Sequence, residues 1–324
     1  MREVTFAEAI REAMCEEMRR DKTVFLMGED IGVYNGPFGV SEGMITEFGP
    51  DRILETPLSE TAFVGAGVGA AMMGMRPIVE LMFSDFIGVC YDQILNQAAK
   101  LHFMFGGKTN VPMVLRASSG GGTGAAAQHS QSLENLLCHV PGLKVVMPCT
   151  PFDAKGLLIS SIRDNNPVVF LEPKLLYSTK GEVPEEEYSI PLGLADKKRE
   201  GTDISIITYG RTVQLSLEAA SRLEKDGIST EVLDLRTLYP LDREAIIKTA
   251  EKTGRVVVVH EAVLFGGFGG EIVSTIVESE AFFKMKAPIK RVGALHSPVP
   301  FSKGLESQVL PSADSIENTV RSIL

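Results

Sequence analysis

The apolar positions of this chain follow two rhythms that alternate along its length. Thr5 and Glu8 have the spacing of a capping box. Phe6, Ile10, Met14 and Met18 then recur every four residues, which predicts an amphipathic helix. The run 23–27 is short and apolar, and it reads as a buried strand. The runs 52–56, 77–82, 112–117, 143–147 and 168–171 read the same way. Between them the pattern predicts a helix of small residues after Ser59. A long helix is predicted from Ser84 to about Phe105, with Ile87, Tyr91, Ile94, Leu95, Ala98 and Leu101 on its packed side. Thr150-Pro151 opens a further helix, with Asp153 in its first turn. Continuous apolar strands separated by helices imply a parallel sheet covered on both faces.

From Lys180 to about Gly201 the pattern lapses. The string G-E-V-P-E-E-E-Y-S-I-P-L-G is acidic, proline-containing and aperiodic, and reads as a linker. Alternation then resumes, with strands at 204–209, 230–235, 256–260 and 289–292. Helices are predicted at 213–225, from Asp242 to a stop at Gly254, after the glycine run 266–270, and at 312–323. The fold class is therefore α/β with two domains: 1–180, a linker over 181–201, and a smaller second domain over 202–324 with a mixed or parallel sheet.

Composition narrows the function. The 324 residues are 44% hydrophobic and 23% charged, with a net charge of −10. That is the profile of a globular domain pair. The charge argues against nucleic acid or an anionic membrane as the main partner. No apolar run reaches the ~18 residues of a membrane span, and the N-terminus lacks the apolar core of a signal peptide. Cys15, Cys90, Cys138 and Cys149 are scattered without a C-x-x-C pair, which points to free thiols in a reducing compartment, the cytoplasm.

The stretch from Glu55 to Phe86 holds the chemistry. Pro57 ends a strand, Ser59 stands at an N-cap position, and Glu60 falls in the first helical turn. Gly65, Gly67 and Gly69 lie inside that helix, each costing about 1 kcal/mol against alanine. Such a helix persists where something lies close to its backbone. A carboxylate at its tip and close contact along its side suggest a buried site at an interface. An acid in the first turn is also what the helix dipole favours without any function. The G-x-G-x-G run has the wrong spacing and placement for a dinucleotide fingerprint. His129 follows the glycine-rich string 118–124 after a strand, where α/β sheets place ligand-binding groups, although a surface-loop histidine would look the same. His102, His139, His260 and His296 lack such a setting and read as structural or peripheral.

The ordered motifs resemble the beta subunits of thiamine-diphosphate-dependent 2-oxo acid and acetoin dehydrogenases, the decarboxylating components of multienzyme complexes. They are G-E-D at 28–30, T-P-L-S-E at 56–60, G-M-R-P-I-V-E-L-M at 74–82, D-F-I at 85–87, A-A-Q-H-S-Q at 126–131 and P-G-L-K-V-V-M-P at 141–148. D-A-K-G-L-L at 153–158, N-P-V-V-F-L-E-P-K at 166–174 and D-L-R-T-L-Y-P-L-D at 234–242 continue the order. The resemblance implies a parallel-sheet pyrimidine-binding domain followed by a transketolase-type C-terminal α/β domain. It makes Glu60 the catalytic acid that holds the cofactor's aminopyrimidine in its imino form, with Leu58, Met82 and Phe86 packing on that ring. It gives His129 a catalytic role in substrate binding and acyl transfer, and Glu29 a place in an acidic proton relay. It also implies a structural potassium site near Ser161, Ile162, Asp164 and Asn166.

The G-D-G and downstream asparagine pair that thiamine enzymes use to hold Mg²⁺ and the diphosphate are missing. The nearest string, Lys225-Asp226-Gly227, has no matching asparagines. The chain thus resembles the pyrimidine half of a site whose Mg²⁺ and phosphate half belongs to an alpha subunit. The resemblance implies an α2β2 heterotetramer that docks a dihydrolipoyl acyltransferase core. The expected activity is pyruvate-type oxidative decarboxylation with reductive acylation of lipoyl groups, with acetoin cleavage as the alternative. A non-catalytic scaffolding subunit is the alternative of another class. A nicotinamide oxidoreductase would need a G-x-G-x-x-G at the first strand-helix turn, and none is there.

Overall fold

The computed structural model describes residues 1–324. The chain divides into two compact units, one formed by residues 1–119 and 136–192, the other by 120–135 and 193–324.

In the first unit six parallel strands lie in the order Lys144–Val146, Val168–Pro173, Val114–Ser119, Arg76–Leu81, Val24–Gly28, Ile53–Glu55. Four of them, Val24–Gly28, Val114–Ser119, Lys144–Val146 and Val168–Pro173, carry the apolar runs read in the sequence, which burial on both faces requires. Helix Phe6–Arg20 packs on helix Pro151–Arg163. Its start is the expected capping box: the Glu8 N–H donates to Thr5 Oγ1 at 3.2 Å, and the Thr5 N–H donates to Glu8 Oε2 at 2.7 Å. Pro151 opens its partner helix, and Thr150 Oγ1 accepts from the Asp153 N–H.

Two local expectations differ. The long helix from Ser84 is a broken element: a 3₁₀ turn Ser84–Phe86, helix Ile87–Asp92 with Cys90 off helical geometry, a π-turn Gln93–Ala98, and helix Leu101–Met104. A π-turn is wider than 3.6 residues, so the same apolar spacing can lie on a broken element. The 181–201 stretch is not featureless. Strand Lys180–Val183 pairs antiparallel with Arg2–Thr5, and strand Asp196–Arg199 lies at a sheet edge. Lys180–Val183 buries only Val183, and Asp196–Arg199 buries none of its residues, so strands this short leave no period in the sequence.

In the second unit the sheet order is Lys290–Ala294, Val256–Val263, Ile204–Thr208, Thr230–Asp234, Asp196–Arg199. The last strand is antiparallel, so the sheet is mixed. Helix Arg243–Thr253 starts on Asp242, which accepts the Ala245 N–H at 3.0 Å, and ends on left-handed Gly254 at φ 71°. Helix Ala313–Arg321 closes the chain behind a Ser312–Ser315 capping box. No helix of the chain is long and apolar enough to cross a membrane.

Candidate functional site

In the first unit the singled-out residues gather at the carboxyl ends of parallel strands, where open α/β sheets bind ligands. Glu29 follows Val24–Gly28, Leu58 and Ser59 follow Ile53–Glu55, and Met82 follows Arg76–Leu81. Gly28 makes this possible: a Cβ there would lie 2.7 Å from the Glu80 carbonyl oxygen. No other residue fits so close to the neighbouring strand.

Glu60 is the first residue of helix Glu60–Met72. Ser59 occupies the N-cap position, but its hydroxyl makes no capping bond, which corrects that part of the expectation. The Ser59 backbone N–H instead donates to the carboxylate of Glu29. Glu29 is 3% exposed, and its Oε1 has no hydrogen-bond partner within the chain. Burial, then the neighbouring charge of Glu60, push its carboxyl up to about 7, against the partial relief of the Ser59 N–H. Two acids thus share one helix tip, and one of them titrates near neutrality with an orphaned oxygen. That is a site prepared for a hydrogen-bond donor or a proton. The thiol of Cys90 feels the same acid: burial first, then Glu60, push it up to about 12.

The remaining ring-packing candidates differ in exposure. Met82 and Phe86 are half-buried. Phe86 meets Phe83 edge-on at 5.7 Å, Phe83 meets Phe38 at 6.0 Å, and Phe38 stacks on Tyr177 at 4.7 Å. Leu58, by contrast, is 80% exposed. The glycines of the helix also divide. A Cβ on Gly67 would sit 2.6 Å from Val79 Cγ2, so this glycine is thin toward its own sheet. Gly69, Ala62 and Ala66 face outward with Leu58 and Met73.

Sequence reading missed a buried charge network behind this end of the sheet. Arg116 grips both oxygens of Glu172 at 2.7 and 2.9 Å and reaches Glu80 at 2.7 Å, while the Tyr177 hydroxyl donates to Glu172 at 2.7 Å. The signal was present as three charged residues inside otherwise apolar strands, at V-L-R, I-V-E and F-L-E.

The segment Ser161–Asn166 closes a helix. The carbonyls of Ile162 and Asp164 both accept from Arg76 Nη1 at 2.9 Å. The Asp164 carboxylate takes Lys144 and, at 2.8 Å, both the N–H and the side-chain amide of Asn166. Burial opposes ionisation of Asp164, but these donors hold its carboxyl below the usual range. Two carbonyls of this turn, those of Ile162 and Asp164, are thus held by Arg76.

His129 belongs to the second unit, on the 120–135 segment. It is half-buried, and its backbone N–H reaches the Ala126 carbonyl at 3.4 Å. Beside this segment lies a cavity of about 490 Å³, lined among others by Gln128, Ser130, Ser132, Glu261 and His296. His296, read from sequence as peripheral, is therefore part of a cavity wall. Of the other histidines, His260 is fully buried and bonds the Ala262 carbonyl through Nδ1 at 3.0 Å. Burial holds it neutral, with its pKa lowered to about 4.

Comparison with known proteins matches two family descriptions along the chain. Residues 2–180 match the family described as the transketolase pyrimidine binding domain, and residues 193–316 the transketolase C-terminal domain. The chain is 52% identical to the acetoin:2,6-dichlorophenolindophenol oxidoreductase subunit beta of Cupriavidus necator, over 99% of this chain and 97% of that one. It is 47% identical to the Bacillus subtilis pyruvate dehydrogenase E1 component subunit beta, over 100% and 99% of the two chains. It is also 47% identical to the Bacillus subtilis 2-oxoisovalerate dehydrogenase subunit beta, over 99% and 98%. Among solved structures it is similar to a split gene transketolase described as an inactive beta4 tetramer, with a TM-score of 0.79 at 22% identity, covering 98% and 97% of the two chains.

Proposed function

Because the chain belongs to the family of dehydrogenase beta subunits built from transketolase pyrimidine-binding and C-terminal domains, we propose that it is the beta subunit of a thiamine-diphosphate-dependent dehydrogenase of the pyruvate type. In this reading residues 1–180 bind the cofactor's pyrimidine, 181–201 connect, and 202–324 form the C-terminal domain. Thiamine diphosphate, when bound, supplies a thiazolium carbon nucleophile that attacks the carbonyl of the substrate. Glu60 accepts a hydrogen bond from the aminopyrimidine ring nitrogen and so holds the ring in its imino form. A charge-assisted bond of this kind strengthens as water is excluded. Leu58, Met82 and Phe86 cover the ring. Glu29, poised near neutrality, passes protons to and from the site. His129 binds substrate and assists acyl transfer to a lipoyl group.

One observation carries the proposal: the pairing of Glu60 at the helix tip with buried Glu29, whose Oε1 has no partner in the chain. In this reading an alpha subunit in an α2β2 assembly holds Mg²⁺ and the diphosphate, and the missing G-D-G string supports that. The outward face of Leu58, Ala62, Ala66, Gly69 and Met73 suits such a partner. That assembly would dock on a dihydrolipoyl acyltransferase core. We place it in the cytoplasm, where four free cysteines persist. A potassium ion at Ser161–Asn166 would share the Ile162 and Asp164 carbonyls with Arg76. Unfolding temperature in potassium against tetramethylammonium chloride measures whether it binds.

Acetoin cleavage is the second reading, favoured by the 52% identity to the Cupriavidus protein. The test is co-expression with the alpha subunit and turnover of pyruvate, branched-chain 2-oxo acids and acetoin. Glu60→Gln should lower turnover by about 10²–10³, the typical loss on removing one preorganised hydrogen-bonding group. Full activity in Glu60→Ala would make the chain a scaffold.

A further inference from the structure

The glycine-rich string after strand Val114–Ser119 looks like a loop that offers backbone amides to a ligand. Successive amides in such a turn form a concavity that binds anions. Here the concavity is filled by the chain itself. Glu306 Oε1 accepts the Gly122 N–H at 2.7 Å, and its Oε2 accepts the Gly124 N–H at 3.0 Å. Glu261 Oε1 accepts the Gly121 N–H at 2.7 Å. Both carboxylates are buried, at 2% and 7% exposure, and both belong to the same unit as the loop.

The loop's shape is tied to these two acids. Gly120, Gly122 and Gly124 have φ of 88°, 94° and 72°, which only glycine adopts cheaply. A Cβ on Gly120 would lie 2.4 Å from Glu261 Oε1, and one on Gly121 would lie 2.9 Å from Leu310 Cδ1. The Gly120 N–H reaches the Gln131 carbonyl at 3.2 Å, so the 120–131 stretch closes on itself. His129 rides on the return limb of this closed loop, two residues before Gln131. At the far end the segment is fastened again, where the Tyr209 hydroxyl donates to buried Glu134 at 2.8 Å.

We propose that Glu306 and Glu261 are positioning residues for His129, acting through the amides of Gly121, Gly122 and Gly124. This rests on the assignment of His129 to substrate binding and acyl transfer made above. The acids touch no reacting atom in this scheme. They hold the loop in one conformation, so that the imidazole is presented without an ordering cost at each turnover. Glutamate is suited to the task because one ionised carboxylate accepts two convergent N–H groups. Glutamine at the same place accepts with one oxygen only and turns an NH₂ donor toward the second amide.

The experiment uses this chain co-assembled with its alpha subunit, as wild type, Glu306→Gln, His129→Ala and the double variant. Amide hydrogen exchange is followed residue by residue over 120–131, and kcat and KM for lipoyl-domain acylation are measured. In the wild type the three glycine amides should be protected. In Glu306→Gln the loop amides should exchange about 10-fold faster or more, with the strands of the same unit unchanged. The acylation defect should resemble that of His129→Ala in kind. It should add little to it in the double variant, because both remove one function. Unprotected glycine amides in the wild type, or defects that multiply in full in the double variant, would overturn the proposal. Fast loop exchange in Glu306→Gln beside a fully active His129→Ala would remove the role of His129 and leave the clamp. If Glu306→Gln does not assemble, Glu261→Met, which leaves the Gly121 amide without its acceptor, is read in the same way.

Discussion

Replacing Glu29 with glutamine tests the electrostatics of the helix tip directly. In the folded chain burial and the Glu60 charge lift the Glu29 carboxyl from its ordinary 4.5 to about 7. The folded state therefore holds a proton that the unfolded chain has released. Below pH 4.5 both states are protonated and Glu29 carries no penalty. Between pH 4.5 and 7 the unfolded chain binds fewer protons, so stability falls as pH rises. At about 1.4 kcal/mol per unit, the full loss above pH 7 is at most about 3.5 kcal/mol. Glutamine keeps the acceptor for the Ser59 N–H and removes the titration. Urea unfolding of both proteins at pH 5, 6, 7 and 8 isolates the difference, since the two chains differ only at this helix tip. Glu29→Gln should gain on the wild type between pH 5 and 7, level off by pH 8, and be the more stable protein there. Parallel stability profiles would refute the buried, charge-coupled placement of Glu29. Cofactor bound to the assembled complex should narrow the gap, because a donor on the orphaned Oε1 stabilises the ionised form.

Two further perturbations report on the scaffold around this tip. Gly67→Val should destabilise the chain by about 1–3 kcal/mol in denaturant unfolding, because its Cβ position is only 2.6 Å from Val79 Cγ2 and the core has no space to yield. Gly69→Ala, with nothing within 4 Å of its Cβ, should leave the isolated chain unharmed or slightly stabilised. Arg116→Met should cost about 3–5 kcal/mol, since it strands Glu80 and Glu172 as buried acids without their cation. Burial raises the Glu80 carboxyl, so the deficit should shrink at low pH as Glu80 takes up a proton, and a deficit independent of pH would count against the ion network.

Much of the fold was legible because its information is local. The capping box at Thr5, the proline start at Pro151 and the glycine stop at Gly254 each act within four residues, so their strings carry them. Apolar strands 24–28 and 168–173 announce burial on both faces for the same reason. Glu60 at a helix tip was readable from Pro57, Ser59 and the glycines that follow. The break at Gln93–Ala98 was not, because the same apolar spacing fits a straight helix and one interrupted by a π-turn. Nor was the small ribbon joining Arg2–Thr5 to Lys180–Val183, since its partners meet only when the first unit closes.

The chemistry divides along the same line. Residue types and their order were enough to point to an acid at a helix tip, a histidine after a glycine loop, and a chain without its own G-D-G string. Only the tertiary structure put Glu29 on the Ser59 amide beside Glu60, and only it seated the glycine loop on Glu261 and Glu306. The partners in these contacts stand between 30 and 184 positions apart in the chain. A carboxylate's proton affinity depends on what lies within a few ångströms in space, and sequence distance carries no record of that.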